Sequence, residues 1–449
     1  MLARILLLAG GLLLVACKTP PAPASSDAAP GSLSLSTPTP IMTTTTSPPS
    51  HGDRASLDAT TAGDRDFAAR LYARVRTQDG NLSFSPTSIR LALAMAYGGA
   101  RGDTKAQMGH VLGLGERAPA GFAALLTQWS ELSAPPPATA TTDWGRQDAE
   151  RKRMVLRVAN RLWGQRGKTF REDFLGRLRD DYGAPLEQLD FHDATDASRR
   201  TINTWVADQT EQKIQDLLGP GTVTVDTRLV LTNAVYFKAS WATEFYPNAT
   251  QPADFTTASG KTVKASMMRD VSYYRHAALS AGDVPCSALE LPYGAPGIAM
   301  IVLLPDAKDG LASLEAKLDG DFLDTVLDRL AAKRVDVGFP RFRSTSALLL
   351  GEVLSAMGMP AAFAADKADF SGMDDTRELY LGAVVHKAFV AVDEKGTEAA
   401  AATAVAMAGA GVPRDPRVPF HADHPFVFLV VDRTNRTVLF MGRVNDPTG

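Results

Sequence analysis

The chain has 449 residues, a formal net charge of −3, 45% hydrophobic residues and 22% charged residues. This composition is globular and supports a large core. Lys and Arg are spread along the chain rather than clustered, which argues against a nucleic-acid partner.

In chain order, the N-terminus reads as a processing signal. Arg4 supplies a positive charge, and Ile5 to Val15 is an apolar run too short for an ordinary transmembrane helix. Leu14-Val15-Ala16-Cys17 resembles a bacterial lipobox, in which the cysteine is lipidated and becomes the mature N-terminus. A plain signal peptide with an incidental cysteine is the alternative. The expected organisation is a lipoprotein signal over residues 1–17, then a disordered tether over 18–57, rich in Pro, Ser, Thr and Ala with few large apolar residues. Lys18 follows the cysteine in place of the Asp usually tied to inner-membrane retention. The expected location is therefore the cell envelope, with the outer membrane favoured, or outside the cell. A membrane is expected as partner only through the lipid on Cys17. With Cys17 lipidated, Cys286 has no disulfide partner and is expected as a small packed residue.

Residues 58–449 read as a single domain. Phe67, Leu71 and Val75 line one face of a helix over 64–75. Ser85-Pro86 opens a second helix, whose apolar run from Ile89 to Tyr97 predicts burial and which ends at Gly98-Gly99. Thr104 is expected to cap the next helix. Strands are expected over 155–163, 228–237, 298–304, 384–392, 426–431 and 437–441, with 384–392 central in its sheet because it has few solvent-like positions. Pro135-Pro136-Pro137 and the Ala/Thr stretch after it read as one surface loop. Helices early and strands later make the fold class α+β.

Enzyme motifs fail. Gly167-Lys168-Thr169 lacks the first glycine of a phosphate-binding loop, since position 162 is Leu162. Neither a Gly-x-Ser-x-Gly elbow nor a His-Glu-x-x-His pair occurs. His421 and His424 have no further evident ligand, so no metal site is expected. Arg101-Gly102-Asp103 matches an adhesion tripeptide, but a turn between helices explains it better.

The unusual segment starts at Glu394-Lys395-Gly396-Thr397 and continues Glu398-Ala399-Ala400-Ala401-Ala402-Thr403-Ala404-Val405. Alanine favours helix, which is one reading. The run follows a predicted central strand with almost no spacer, lacks an apolar face, and flows into Gly409, Gly411, Pro413, Pro416 and Pro419. That pattern is a long exposed loop, and such loops are usually functional.

Phe420-His421-Ala422-Asp423-His424-Pro425-Phe426-Val427-Phe428-Leu429-Val430 resembles the signature of the serpins, the serine-protease inhibitors. Gly396 to Thr403 resembles the hinge of their inhibitory members. Asn81 to Ile89, Asn233 to Lys238 with Trp241, Ala368 to Gly372, and His386-Lys387-Ala388-Phe389 are similar to further family blocks in the same order. The resemblance runs from about residue 58 to 444.

It implies a serpin fold, with helices, three β-sheets and an exposed reactive-centre loop on a metastable, monomeric chain without cofactor or metal. It implies an inhibitor and not an enzyme. A target serine protease attacks the loop, forms an acyl-enzyme, and is trapped when the cut loop inserts as a new strand of the main sheet. Small residues suit the part that slides in: the hinge Gly396, Thr397, Glu398, Ala399, Ala400, Ala401, Ala402 and Thr403. Counting from Gly396 puts the reactive bond at Ala410-Gly411, which suits an elastase-like or subtilisin-like protease. The segment after the bond is slightly longer than usual, so a shifted register leaves Met407 and Arg414 as alternatives. Ser85, Ser88, Asn233 and His386 match the polar shutter beneath the sheet, and Trp241 the breach where insertion begins. A buried, hydrogen-bonded core histidine is the plain reading of His386. A non-inhibitory serpin-fold binding protein is the alternative function.

Overall fold

The structure, a computed structural model, describes residues 53–135, 142–398 and 416–449. Cys17, Ala399 to Thr403, Ala410 and Gly411 lie outside the described residues.

The first part is helical: α1 (Arg54–Thr61), α2 (Asp64–Val75), then β1 (Leu82–Phe84), α3 (Pro86–Tyr97), α4 (Gly102–Leu112), α5 (Ala118–Ser133) and α6 (Asp143–Arg151). Strands and helices then alternate: β2 (Met154–Gln165), α7 (Glu172–Tyr182), β3 (Glu187–Leu189), α8 (Thr195–Gln209) and β4 (Leu229–Ser240). Next come β5 (Gln251–Thr256), β6 (Thr262–Ala281), β7 (Val284–Pro292), β8 (Ile298–Pro305), α9 (Leu311–Glu315), α10 (Gly320–Arg329), β9 (Ala331–Pro340), β10 (Phe342–Leu349), α11 (Leu350–Met357) and α12 (Ser371–Asp374). The chain ends with β11 (Leu381–Asp393), β12 (Gly396–Thr397), β13 (Val418–His421), β14 (Phe426–Asp432) and β15 (Thr437–Val444).

Helix α1 starts at Arg54, ahead of the expected boundary at 58. Asp53 caps α1, its carboxylate accepting from the Ser56 N–H at 2.7 Å, and Leu57 is 1% exposed. One buried leucine and one cap are enough because α1 lies directly on α5. Gly121 permits this close approach, since a Cβ there would meet Thr60 Oγ1 at 1.9 Å. Thr104 does not cap α4. It lies inside the helix, and its hydroxyl accepts from the Asp369 N–H, so a partner distant in sequence took the group that a cap would use.

The main sheet runs β10-β11-β12-β4-β2-β3. β11, the predicted central strand, lies between β10 and β4. The remaining strands form one continuous sheet in the order β1-β15-β14-β8-β7-β6-β9-β13, with β5 on β6. The expected second and third sheets are thus joined by hydrogen bonds. The reason is the 20-residue β6, which pairs with β5 through Met267, with β9 up to His276 and with β7 from Arg275 to Ala281.

Ser85 caps α3, Pro86 starts it, and all twelve of its residues are buried. The helix runs beneath the main sheet against β2 and β4 and also touches β15. On the opposite face, α8 closes a second core of Trp163, Phe191, Ile202, Val206, Val230, Ala234 and Val385. The strand pair β4/β11 is therefore covered on both faces, which is why both read as nearly continuous apolar runs.

Candidate functional site

The site is a seam. β4 and β11 run parallel, paired from Leu229/Leu381 to Tyr236/Phe389. Above that stretch, β12 stands between them, antiparallel to both. Gly396 faces Ser240 on one side and Asp393 on the other, and Thr397 faces Ala239 and Val392. The sheet therefore holds four long strands, the three-residue β3 at its edge, and the first two residues of a sixth strand.

Gly396 makes this entry. Its φ is +148°, a conformation L side chains rarely adopt, and a Cβ would meet the Ala239 carbonyl oxygen at 2.1 Å. Thr397 is fully buried, and its hydroxyl shares a 2.6 Å hydrogen bond with the Tyr293 phenol. Burial pushes that phenol's pKa well up, so it stays neutral. Glu398 turns out of the strand with φ 49°, and its N–H donates to the Ala391 carbonyl at 2.9 Å. Its carboxylate pairs with Lys213, and burial, followed by the charge of Glu398, raises the pKa of Tyr236.

Trp241 packs at the top. Its ring stacks on Tyr293 with centroids 4.4 Å apart, and its Nε1–H donates to the Asp393 carbonyl at 2.9 Å. Its backbone N–H donates to the Lys395 carbonyl at 2.8 Å, and the Phe245 N–H to the Glu394 carbonyl at 2.9 Å. The Glu394 side chain accepts from Arg341 Nε at 2.8 Å and from Thr250. Burial disfavours the Glu394 carboxylate, yet these hydrogen bonds outweigh it and hold its pKa below the usual range.

Lower on the seam, His386 and Asn233 face each other across the parallel pair, and Asn160 on β2 faces Asn233 from the other side. Ser85 N–H donates to His386 Nε2 at 3.1 Å, so Nδ1 carries the proton and donates to Asn233 Oδ1. The Asn233 amide donates to Ser88 Oγ at 2.5 Å, to the Ser88 carbonyl at 3.2 Å and to Asn160 Oδ1. His386 is fully buried, and burial lowers its pKa to about 3. It is thus a neutral, satisfied imidazole within a cross-strand network, which is the plain reading of this histidine.

The structure brings together Ser85, Ser88, Asn233 and His386, and separately gathers Gly396, Thr397, Glu398 and Trp241. Sequence reasoning missed Asn160, Tyr293, Lys213 and Arg341. Asn160 carried a weak signal, a polar residue inside a predicted strand; the others had none. His421 and His424 do not converge. His421 Nε2 lies 3.5 Å from Asp336, whereas His424 bonds Asp423 and the Pro305 carbonyl. Among the described residues, no cluster of three or more His, Cys, Asp or Glu could hold a metal. Cys286 is 1% exposed, and burial pushes its thiol up to about 11, which makes it inert.

The family model described as serpin (serine protease inhibitor) matches residues 62–447. Serpin B6 of Macaca fascicularis is 38% identical over 399 residues, covering 87% of this chain and all of that protein. Leukocyte elastase inhibitor of Bos taurus is 36% identical over 401 residues, with 87% of this chain and all of that protein covered. The crystal structure of Serpin48 from the insect Tenebrio molitor superposes with a TM-score of 0.73 at 31% identity, covering 88% of this chain and 99% of its own. A five-stranded sheet with an antiparallel strand started in its seam, a polar cluster beneath it and a match along nearly the whole domain lead to one conclusion: this chain belongs to the serpin family.

Proposed function

We propose that the protein inhibits serine proteases by offering its loop as a substrate and trapping the acyl-enzyme as the loop inserts between β4 and β11. The observation that carries this reading is β12, two residues long and already bonded to both strands of the seam. Each further residue that follows it exchanges one parallel ladder for two antiparallel ones, at about 0.5–1.5 kcal/mol net per added bond. The alanines after Glu398 add little volume and no buried polar group. The name of the related leukocyte elastase inhibitor supports the inhibitory reading.

The favoured reactive bond is Ala410-Gly411 and the favoured target an elastase-like or subtilisin-like protease; both rest on the sequence count from Gly396. Ser85, Ser88, Asn233 and His386 act as the shutter, and Trp241 marks the breach. The protein acts as a monomer, anchored to a bacterial envelope through lipid on Cys17, with the outer membrane favoured. This last reading rests on the lipobox-like residues alone.

Incubation with pancreatic elastase and subtilisin tests the mechanism. The expected result is a complex that survives denaturing electrophoresis, with a released peptide starting at Gly411. Cleavage without that complex, and without a rise in thermal stability of the cut chain, overturns inhibition of these proteases and leaves a serpin-fold binding protein. Metabolic labelling with a radioactive fatty acid tests the anchor: incorporation is expected in the natural chain and absent in Cys17→Ala. A natural chain without label overturns the anchor.

A further inference from the structure

The second core, on the face of the main sheet opposite α3, carries a cluster that the seam described above does not use. Arg161 on β2 shares a rung with Thr232 on β4 and Val385 on β11, one residue from the rung of Asn160, Asn233 and His386. Strand alternation sends the Asn160 side chain towards α3 and the Arg161 side chain to the other face, under α8. There its guanidinium lies over two indoles, 4.3 Å from the ring centroid of Trp205 on α8 and 5.2 Å from that of Trp163 on β2. The indoles meet edge to face at 5.4 Å, and the Trp163 Nε1–H donates to Thr232 Oγ1 at 3.0 Å. Glu187 on β3 accepts a hydrogen bond from the guanidinium. The Arg161 side chain is 18% exposed, so the stack is largely out of water, where such contacts are strongest. β11 reaches the same core through Val385, with Ala383 and Phe389 packed against its margin. α8 therefore covers both banks of the seam, and a strand entering between Thr232 and Val385 must part it from one of them.

We propose that Arg161 is a positioning residue for strand insertion: its stack on Trp205 binds α8 to the β2 side, so that α8 parts from β11 and the strength of the stack sets how fast a strand enters. The inference rests on the reading that the loop inserts between β4 and β11, but not on a protease being trapped. The two banks differ in kind. On the β2 side a cation, two indoles and a carboxylate hold the helix, and on the β11 side apolar contact alone contributes to the shared core. The planar guanidinium is what makes the first bank specific, since it stacks on a ring face and bonds a carboxylate at the same time. Lysine in its place keeps the charge without the plane, and methionine keeps an apolar chain without the charge.

The test follows the uptake of a synthetic peptide of residues 397–410 by the uncut chain, read as the rate at which a more heat-stable species appears. The natural chain is compared with Arg161→Met, Arg161→Lys and Glu187→Gln. Hydrogen exchange of the α8 amides is measured on the same chains without peptide, with urea unfolding as the folding control. Arg161→Met is expected to take up peptide about five-fold faster or more, with α8 exchange faster by a similar factor, and Arg161→Lys to fall between it and the natural chain. Glu187 is 47% exposed, so Glu187→Gln should gain only about two-fold. Uptake by Arg161→Met within two-fold of the natural chain, or by Arg161→Lys as fast as by Arg161→Met, overturns the positioning role and leaves insertion standing. Should Arg161→Met fail to fold, natural rates in both other variants overturn it. A natural chain that takes up no peptide also overturns it. The heat stability of the cut chain, which rises only if the loop enters, then decides separately whether insertion itself fails.

Discussion

The top and the middle of the β4/β11 seam are closed by different means. At the top the strands are already parted, and Gly396 and Thr397 fill the gap under Trp241, Tyr293 and the Glu394–Arg341 pair. In the middle the strands pair directly, and a row of side-chain amides and one imidazole ties them to α3. Large apolar and aromatic area holds the top, and directional hydrogen bonds hold the middle. The first closes against solvent while leaving one strand position occupied. The second is a set of discrete hydrogen bonds in which each group has a named partner.

The comparison is broken most severely at Thr397. Thr397→Arg places an unpaired charge in a fully buried position beside Tyr293. A loss of about ten-fold or more in the fraction of protease trapped rather than released is expected, since an uncompensated buried charge costs several kcal/mol. Gel quantification of complex against cleaved chain measures it, and unchanged partitioning would show that trapping does not depend on a neutral side chain at 397. Trp241→Ala removes the stacking platform and a backbone tie, and should cost about 3–5 kcal/mol in urea unfolding.

The middle is probed through pH. The folded pKa of His386 is about 3, below the ordinary value near 6.5, so the opened state binds the extra proton. The contribution of His386 is therefore constant above pH 6.5, and stability falls as pH drops below it. The slope is at most about 1.4 kcal/mol per pH unit. Urea midpoints between pH 7 and 5 should fall for the natural chain and flatten for His386→Gln; parallel curves would remove the shutter histidine as the titrating group. The smallest effect is expected for Glu394→Gln. Arg341 is 47% exposed, so the pair is screened, and a loss of about 0.5–1 kcal/mol in the same assay is expected.

Much of this was legible in the sequence because the signals are local. α2 and α3 follow from apolar spacing and from Ser85-Pro86, β8, β14 and β15 from apolar runs between turn residues, and β11 from a nearly continuous run interrupted by His386-Lys387. The glycine at 396, read as part of the hinge, stands in the tight space between β4 and β11, whereas the alanines after Glu398 lie outside the described residues. What stayed hidden depends on distant partners. Arg341 lies 53 residues before Glu394, and neither residue alone announces a pair. α6 was missed because none of its residues is buried, so it has no apolar stripe, and Trp144 on it is 68% exposed. The join between two expected sheets was missed because β6 changes its partners along its length while its alternation looks ordinary. The loop tip and the N-terminal cysteine stand where the sequence reading left them.

The two residues of β12 also set a ruler. Gly396 stands opposite Ser240 and Asp393, and both pairings run antiparallel. Seven steps further along the loop, counted seven back on each neighbour, bring position 403 level with Asn233 and with His386. Those two residues now face each other directly. A strand that continues β12 without a bulge would therefore deliver Thr403 into the rung that the imidazole and the amide share, with a hydroxyl able to donate to one and accept from the other. In that alignment the latch carries the address of its own key: the residues that keep the seam shut mark the place where a threonine, the first residue other than alanine after Glu398, takes over their hydrogen bonds. A structure of the cut chain would read this directly, and any other residue at that rung would mean the ruler slips.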